Sequence, residues 1–162
     1  MHREDPHRRL AESVGEVLHE AGLEHEECIA LLDRLPSKWE RFSDVVLLPD
    51  SAFQGEWDLH VSADLWRAVS EALKSERVAR LGEISGEMRE SSVEMLLGED
   101  DWVVRRESGV DYGYNLTQCM FSAGNVNERR RMGEVARAGE VVVALYAGIG
   151  YYSLPMLVHS QV

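Results

Sequence analysis

Cysteine is scarce: 162 residues hold two, Cys28 and Cys119, far apart in the chain. So few exclude a disulfide scaffold and make a reducing interior the default setting. Basic charge is short as well. Seventeen Lys and Arg stand against 29 Asp and Glu, a formal net charge of −12. That balance argues against a general nucleic-acid binder, because neutralising phosphates consumes Lys and Arg, although a local basic patch on an acidic body is compatible with it. No apolar run approaches the roughly 18 residues of a membrane-crossing helix. The start, Met1-His2-Arg3-Glu4-Asp5, leads into no apolar segment and does not read as a signal peptide. Six histidines are scattered, none spaced with Cys or Asp as metal ligands, and no Gly-x-Ser-x-Gly element occurs. Neither a metal site nor a hydrolase triad is expected; His60 and His159 read as surface or satisfied core residues. No internal repeat or low-complexity tract is present.

What the chain does have is amphipathic patterning. Leu10, Val14, Val17, Leu18 and Ala21 share one helical face, with Gly22 placed to end the helix. A second short helix turns Cys28, Leu31, Leu32 and Leu35 inward and stops before Pro36. The acidic residues around them, such as Glu12, Glu16 and Glu20, form a solvated face. Val45–Leu48 is a short strand closed by Pro49, and Gln54–Leu59 reads as a loop. Ser62 caps a helix whose inner face is Leu65, Ala68, Val69, Ala72 and Leu73. Val78–Ile84 and Val93–Leu97 are strand candidates, with Ser85–Ser92 a loop between them. Trp102–Arg106 and Val110–Tyr114 alternate and are joined by Glu107-Ser108-Gly109, a hairpin expected to share one sheet with the earlier strands. Trp39, Trp57, Trp66 and Trp102 read as core or interface aromatics. Arg105 and Arg106 suit RNA phosphates, and an outward strand edge explains them equally well.

Two stretches carry the chemistry. Val141–Tyr146 is an apolar, β-branched run that fits a strand buried on both faces. Ala147-Gly148-Ile149-Gly150 then makes a tight turn, and Tyr151–Val158 opens a helix. Strand, glycine turn and helix bring bare backbone close to a nucleotide-like ligand. Two of the three glycines of a dinucleotide fingerprint are present, with Ser153 where the third would stand; an ordinary connection is the competing reading. The other stretch is Leu116–Met132. Asn125 is placed to cap a helix, with Glu128 completing a capping box, and Arg129, Arg130 and Arg131 follow. Their bland reading is a solvated helix face. The sharper one is an anion site: a helix N-terminus beside Ser122 and Asn125 with arginine in reach.

Three motifs in order, Leu35-Pro36-Ser37-Lys38-Trp39-Glu40-Arg41-Phe42-Ser43-Asp44, then Cys119-Met120-Phe121-Ser122-Ala123-Gly124-Asn125 with Glu128 and Arg131-Met132, then Leu145-Tyr146-Ala147-Gly148-Ile149-Gly150-Tyr151, resemble the tRNA wybutosine-synthesizing protein 2 family. Its members are tRNA 4-demethylwyosine aminocarboxypropyltransferases, related to the tRNA guanine-37 N1-methyltransferases. Those methyltransferases carry Pro-Arg after the Phe-Ser pair; Gly124-Asn125 after Ala123 is similar to the aminocarboxypropyl branch. The resemblance runs from about Leu35 to Val158. It implies S-adenosyl-L-methionine as cofactor and phenylalanine tRNA as partner, in the cytoplasm. By resemblance Ser122, Arg129, Gly148 and Gly150 contact the cofactor, Arg129 suiting its methionine carboxylate, and Asn125 touches substrate; catalytic residues are not assigned.

The implied fold class is α/β: a small α+β N-terminal domain followed by the first strand-turn-helix of a Rossmann-like S-adenosylmethionine-dependent transferase domain. The expected divisions are a helical segment over 1–34, the α+β domain over 35–115 and the opening of the Rossmann-like domain over 116–162. Two departures accompany the resemblance. Ala144 stands where the family has Asp, which implies weaker cofactor binding. The chain stops at Val162, before the acidic residue that holds the ribose hydroxyls and before the family's Asn-Pro-Pro-type loop. A partial product, inactive by itself, is expected. The alternatives are a non-catalytic RNA-binding or adaptor piece, a tRNA guanine-37 N1-methyltransferase, and another nucleotide-cofactor enzyme sharing the glycine turn.

Overall fold

Helix α1, Pro6–Glu20, starts where Asp5 accepts a hydrogen bond from the His7 N–H at 3.0 Å, with Pro6 in the first turn. The computed structural model describes residues 5–82, 92–119, 121 and 124–160. Contacts divide the chain into two units, Met1–Asp101 and Trp102–Val162.

In the first unit α1 buries Leu10, Val14 and Leu18, the face expected from periodicity. It ends as expected at Gly22, whose φ of 83° lets the Gly22 and Leu23 N–H groups close back on His19 and Leu18 carbonyls. Helix α2, His25–Leu32, buries Cys28 and Leu31. Strands β1 (Glu40–Phe42), β2 (Val45–Leu48), β3 (Arg77–Arg80) and β4 (Glu94–Leu97) form one sheet in chain order. β2 and β3 are parallel and joined across helix α3, Ala63–Leu73; the other two pairings are antiparallel. All four residues of β2 are buried, which is why it reads as a continuous apolar run rather than an alternating one. Ser62 caps α3, its Oγ accepting from the Leu65 N–H at 3.1 Å. The core of this unit gathers α1, α2, α3 and one face of the sheet around Phe53, Trp57 and Trp66.

Several expectations are corrected. Gln54–Leu59 is not a plain loop: Gly55–Leu59 is a 3-10 turn that buries Trp57 against Phe53, ring centroids 4.8 Å apart. Burying an indole outweighs the turn's poor local propensity. The strand expected over Val78–Ile84 spans Arg77–Arg80, and Ile84 and the loop beyond it to residue 91 lie outside the described residues. The 102–115 hairpin does not join the first sheet. Among the described residues β5 (Trp102–Glu107) and β6 (Val110–Asn115) pair only with each other, in full register from Trp102↔Asn115 to Glu107↔Val110. Ser108 and Gly109, both at positive φ, make the two-residue turn that matches strand twist. Trp102 is no core residue. It is half exposed and lies over Gly113, where an added Cβ would come within 2.5 Å of its ring.

The second unit continues with α4 (Val126–Val135) and α5 (Ser153–His159), which pack together. The strand expected at Val141–Tyr146 is not formed. The stretch pairs with no strand among the described residues, and Val141, Val143, Leu145 and Tyr146 are exposed. A parallel-sheet strand exists only when neighbours take up its backbone groups, and sequence pattern cannot supply them. No helix among the described residues is long and apolar enough to cross a membrane. Both cysteines are free thiols.

Helix α3 ends at Lys74, a non-glycine residue in the left-handed region at φ 54° and ψ 51°. Arg41 bonds the Lys74 carbonyl, not its side chain. Lys74→Gly is therefore expected to stabilise the first unit by about 0.5–1 kcal/mol, read as a raised urea midpoint with unchanged slope.

Candidate functional site

Alternation along the hairpin sets the site. Val103, Arg105 and Glu107 of β5 point to the same face as Val110, Tyr112 and Tyr114 of β6, because Glu107 opposes Val110, Arg105 opposes Tyr112 and Val103 opposes Tyr114. This face receives Phe121. Its ring meets Tyr112 edge-on at 5.5 Å and stacks near-parallel to Tyr114 at 6.0 Å. The Arg105 guanidinium lies 4.3 Å from the Phe121 centroid.

The chain then turns at Gly124 and Asn125 into α4. Asn125 is left-handed at φ 62° and its side chain makes no capping bond, so the expected capping box is not formed. Glu128 pairs instead with Arg131 at 2.7 Å on the exposed helix surface. A left-handed backbone at Asn125 turns its side chain away from the helix N–H groups it would otherwise cap.

Of the three arginines, read either as a solvated face or as part of an anion site, Arg129 is buried, only 3% exposed. It is held by Glu107 across two parallel bonds, Nε to Oε1 at 2.6 Å and Nη2 to Oε2 at 2.9 Å, while Nη1 donates to the Gly124 carbonyl at 2.5 Å. The pair moves both charges away from neutrality. The hydrogen bond from Arg129 holds the Glu107 carboxyl below its ordinary value, against the opposing effect of burial, and Arg129 is raised by the same bond. Burial, followed by the Glu107 charge, pushes the Tyr112 hydroxyl up.

The glycine bend comes to the same place. Gly148 and Gly150 have φ of 57° and 88°, and the Gly150 N–H closes on the Ala147 carbonyl at 2.9 Å. A Cβ at Gly148 would meet nothing within 4 Å, so the backbone there faces open space. Tyr151, directly after Gly150, meets the Phe121 ring at 5.5 Å, and the Arg129 guanidinium lies 5.4 Å from both ring centroids. Arg129 and Tyr151, the residue that follows the Gly148–Gly150 bend, thus meet in one aromatic cluster; Asn125 is exposed at the start of α4, and Ser122 lies outside the described residues. Sequence reasoning missed Glu107, Tyr112 and Tyr151. The signal for Glu107 was an opposite-charge pair of residues, Arg105 and Glu107, on the inward parity of the hairpin with Val103. No group of His, Cys, Asp or Glu suited to a metal occurs among the described residues.

Comparison with known proteins follows the same division. The model described as TYW2 N-terminal domain matches residues 11–101, and that described as TRM5/TYW2 methyltransferase domain matches residues 103–162. The tRNA wybutosine-synthesizing protein 2/3/4 of Arabidopsis thaliana is 42% identical over 157 residues, 96% of this chain and 15% of that protein. The wybutosine-synthesizing protein 2 homolog of Bos taurus is 42% identical over 128 residues, 78% of this chain and 29% of that protein. The crystal structure of P. horikoshii TYW2 in complex with MeSAdo superposes with a TM-score of 0.68 at 32% identity, covering 93% of this chain and 50% of that one. The chain therefore spans well under half of these two curated relatives.

Because its folded value is depressed below the ordinary one of 4.5, Glu107 stabilises the second unit fully above that pH and ceases to as pH falls through the folded value. Glu107→Gln is expected to lower stability at neutral pH, yet to lose less of it than the parent as pH falls below the ordinary carboxylate value of 4.5. Near-ultraviolet circular dichroism during urea unfolding at each pH measures this.

Proposed function

The chain belongs to the tRNA wybutosine-synthesizing protein 2 (TYW2) family, and on that premise we propose that it carries part of an S-adenosylmethionine-dependent transferase acting on tRNA. The finer reading is transfer of the 3-amino-3-carboxypropyl group to carbon 7 of 4-demethylwyosine at position 37 of phenylalanine tRNA, in the cytoplasm. The observation that supports it is the meeting of the Phe121–Arg129 corner with the Gly148–Tyr151 bend in one cluster.

When bound, S-adenosylmethionine would supply a sulfonium whose γ-carbon is open to the base carbon, with methylthioadenosine as the leaving group that keeps the carbon–sulfur electron pair and the carbon 7 proton released to balance the transfer. All carbons on a sulfonium are electrophilic, so orientation decides which group moves. The residues present fit that need. Arg129 is a desolvated cation suited to the methionine carboxylate, and fixing that end presents the γ-carbon. Gly148 leaves open backbone where a nucleoside approaches, and Gly150 makes the bend. Ser122 and Asn125, from the corner itself, are assigned to cofactor and substrate contact by resemblance. Ala144, exposed beside the bend, offers no carboxylate for the cofactor amine.

With Val141–Tyr146 unpaired, the chain by itself is proposed to bind cofactor weakly and to transfer nothing. Calorimetry with S-adenosylmethionine is expected to show weak binding, strengthened about tenfold by Ala144→Asp. Transfer is tested with cofactor labelled in the carboxyl or the methyl group and tRNA bearing 4-demethylwyosine. The chain alone is expected to move neither label. Joined to the remaining methyltransferase domain of a relative, it is expected to move the carboxyl label. Movement of the methyl label instead would identify a guanine-37-type methyltransferase, and absence of both heat and transfer an RNA-binding adaptor.

A further inference from the structure

Glu107 is a partly buried acid of the second unit to which the proposed reaction gives no task. It is as thoroughly engaged as any group there, with both carboxylate oxygens on Arg129 and its side chain 12% exposed. We propose that Glu107 is a positioning residue: it fixes the Arg129 guanidinium so that its Nη1–Nη2 edge is offered to the carboxylate of the cofactor. This rests on the reading of Arg129 as the carboxylate-binding residue.

A guanidinium has two edges able to grip a carboxylate with two N–H groups, one between Nε and Nη2 and one between Nη1 and Nη2. Glu107 takes the first. The second lies in the same plane but on another side, so a second carboxylate that enters the cluster meets it without displacing Glu107; with the Arg129 side chain 4% exposed, that entry requires the surrounding rings to part. Nη1 also donates to the Gly124 carbonyl, and with two N–H groups on that nitrogen one bond there does not exhaust it. The Phe121 and Tyr151 rings stand 5.4 Å from the guanidinium carbon and restrict its swing. An unrestrained arginine on a helix's first turn samples many rotamers, and ordering it on binding weakens the ligand. Here the ordering is done in advance by residues from the end of β5, the corner and α4.

The opposite role is that of a rival, a carboxylate that the cofactor must displace. Burial argues against it: expelling Glu107 would leave a carboxylate in a desolvated place without its cation. The two roles predict opposite signs, which makes them separable.

The test is calorimetric titration of the 162-residue chain, as wild type, Glu107→Gln and Glu107→Asp, with S-adenosylmethionine and with decarboxylated S-adenosylmethionine, which lacks only the carboxylate. Wild type is expected to prefer the carboxylated form by about tenfold or more; Glu107→Gln should lose about tenfold for that form alone, with partial recovery in Glu107→Asp. Equal weakening of both ligands would reduce Glu107 to a structural residue and overturn the proposal. Tighter binding of S-adenosylmethionine by Glu107→Gln would make it the rival. If wild type binds both forms equally, Arg129 does not read the carboxylate and the proposal falls with that reading; if it binds neither, the cofactor site itself is refuted. Should Glu107→Gln fail to fold by circular dichroism, Arg129→Lys decides. It keeps the charge but not the two-edged fork, so it must lose the same discrimination.

Discussion

A charged guanidinium inside a protein has to be matched or it unfolds what surrounds it. In the second unit Arg129 is buried and Glu107 matches it with two charge-assisted bonds. Attraction between two such charges is offset by the loss of their hydration, so the net gain over an apolar pair is small; removing one partner alone costs roughly 3–5 kcal/mol. That asymmetry gives the pair its structural weight. It ties the end of β5 to the first turn of α4, and through the Gly124 carbonyl it ties the corner between them. Phe121, Tyr112, Tyr114 and Tyr151 fill the space around the pair, and their faces suit the positive charge that aliphatic side chains would not.

The first unit also has a paired arginine, but it depends on it less. Asp44 and Arg77 bond at 2.7 and 2.9 Å, fastening the β1–β2 turn to the start of β3. The hydrogen bond from Arg77 holds the Asp44 carboxyl below its ordinary value. Asp44 remains partly exposed, however, and around it lies a continuous apolar core of three helices and a sheet face. Burial of that apolar area, at about 25 cal/mol per Å2, is the dominant favourable contribution there. The second unit, with fewer buried aliphatics, relies on aromatic and ionic contacts.

How legible this was depends on whether a signal is local. Helix faces were legible: Leu10, Val14 and Leu18 on α1, and Leu65, Val69 and Leu73 on α3, follow a period that backbone geometry imposes. So were Gly22 and Ser62, whose end-capping roles depend on a few neighbouring residues. Arg129 and the glycine bend stood out in the sequence because they lie in or near the family motifs, but the partner of Arg129 did not. Glu107 is 22 residues upstream, and only the pairing of β5 with β6 and the return of the chain through Phe121 bring it there. The Asn125 capping box was misread because the sequence pattern says which residues are present, not that Asn125 adopts φ 62°. The stretch Gln54–Leu59 was misread as a plain loop for a related reason: the 3-10 turn forms because it buries Trp57, a tertiary gain that local propensity does not contain.

Val141–Tyr146 shows where a pattern outruns its physics. Six apolar residues with high β propensity still need partners, since each strand residue carries a donor and an acceptor that only a neighbouring strand or water satisfies. Without a ladder the run forms no strand and stays exposed, turning at Leu145 and Tyr146, yet the bend that follows it is in place. What fixes the bend is its other side. The Gly150 carbonyl accepts from the Leu154 N–H, and α5 packs on α4 so closely that a Cβ at Gly133 would lie 3.2 Å from the Pro155 carbonyl oxygen. Tyr151 then closes on Phe121 and Arg129. The bend is thus held by the helix after it and the ion pair beside it, and forms independently of the strand before it.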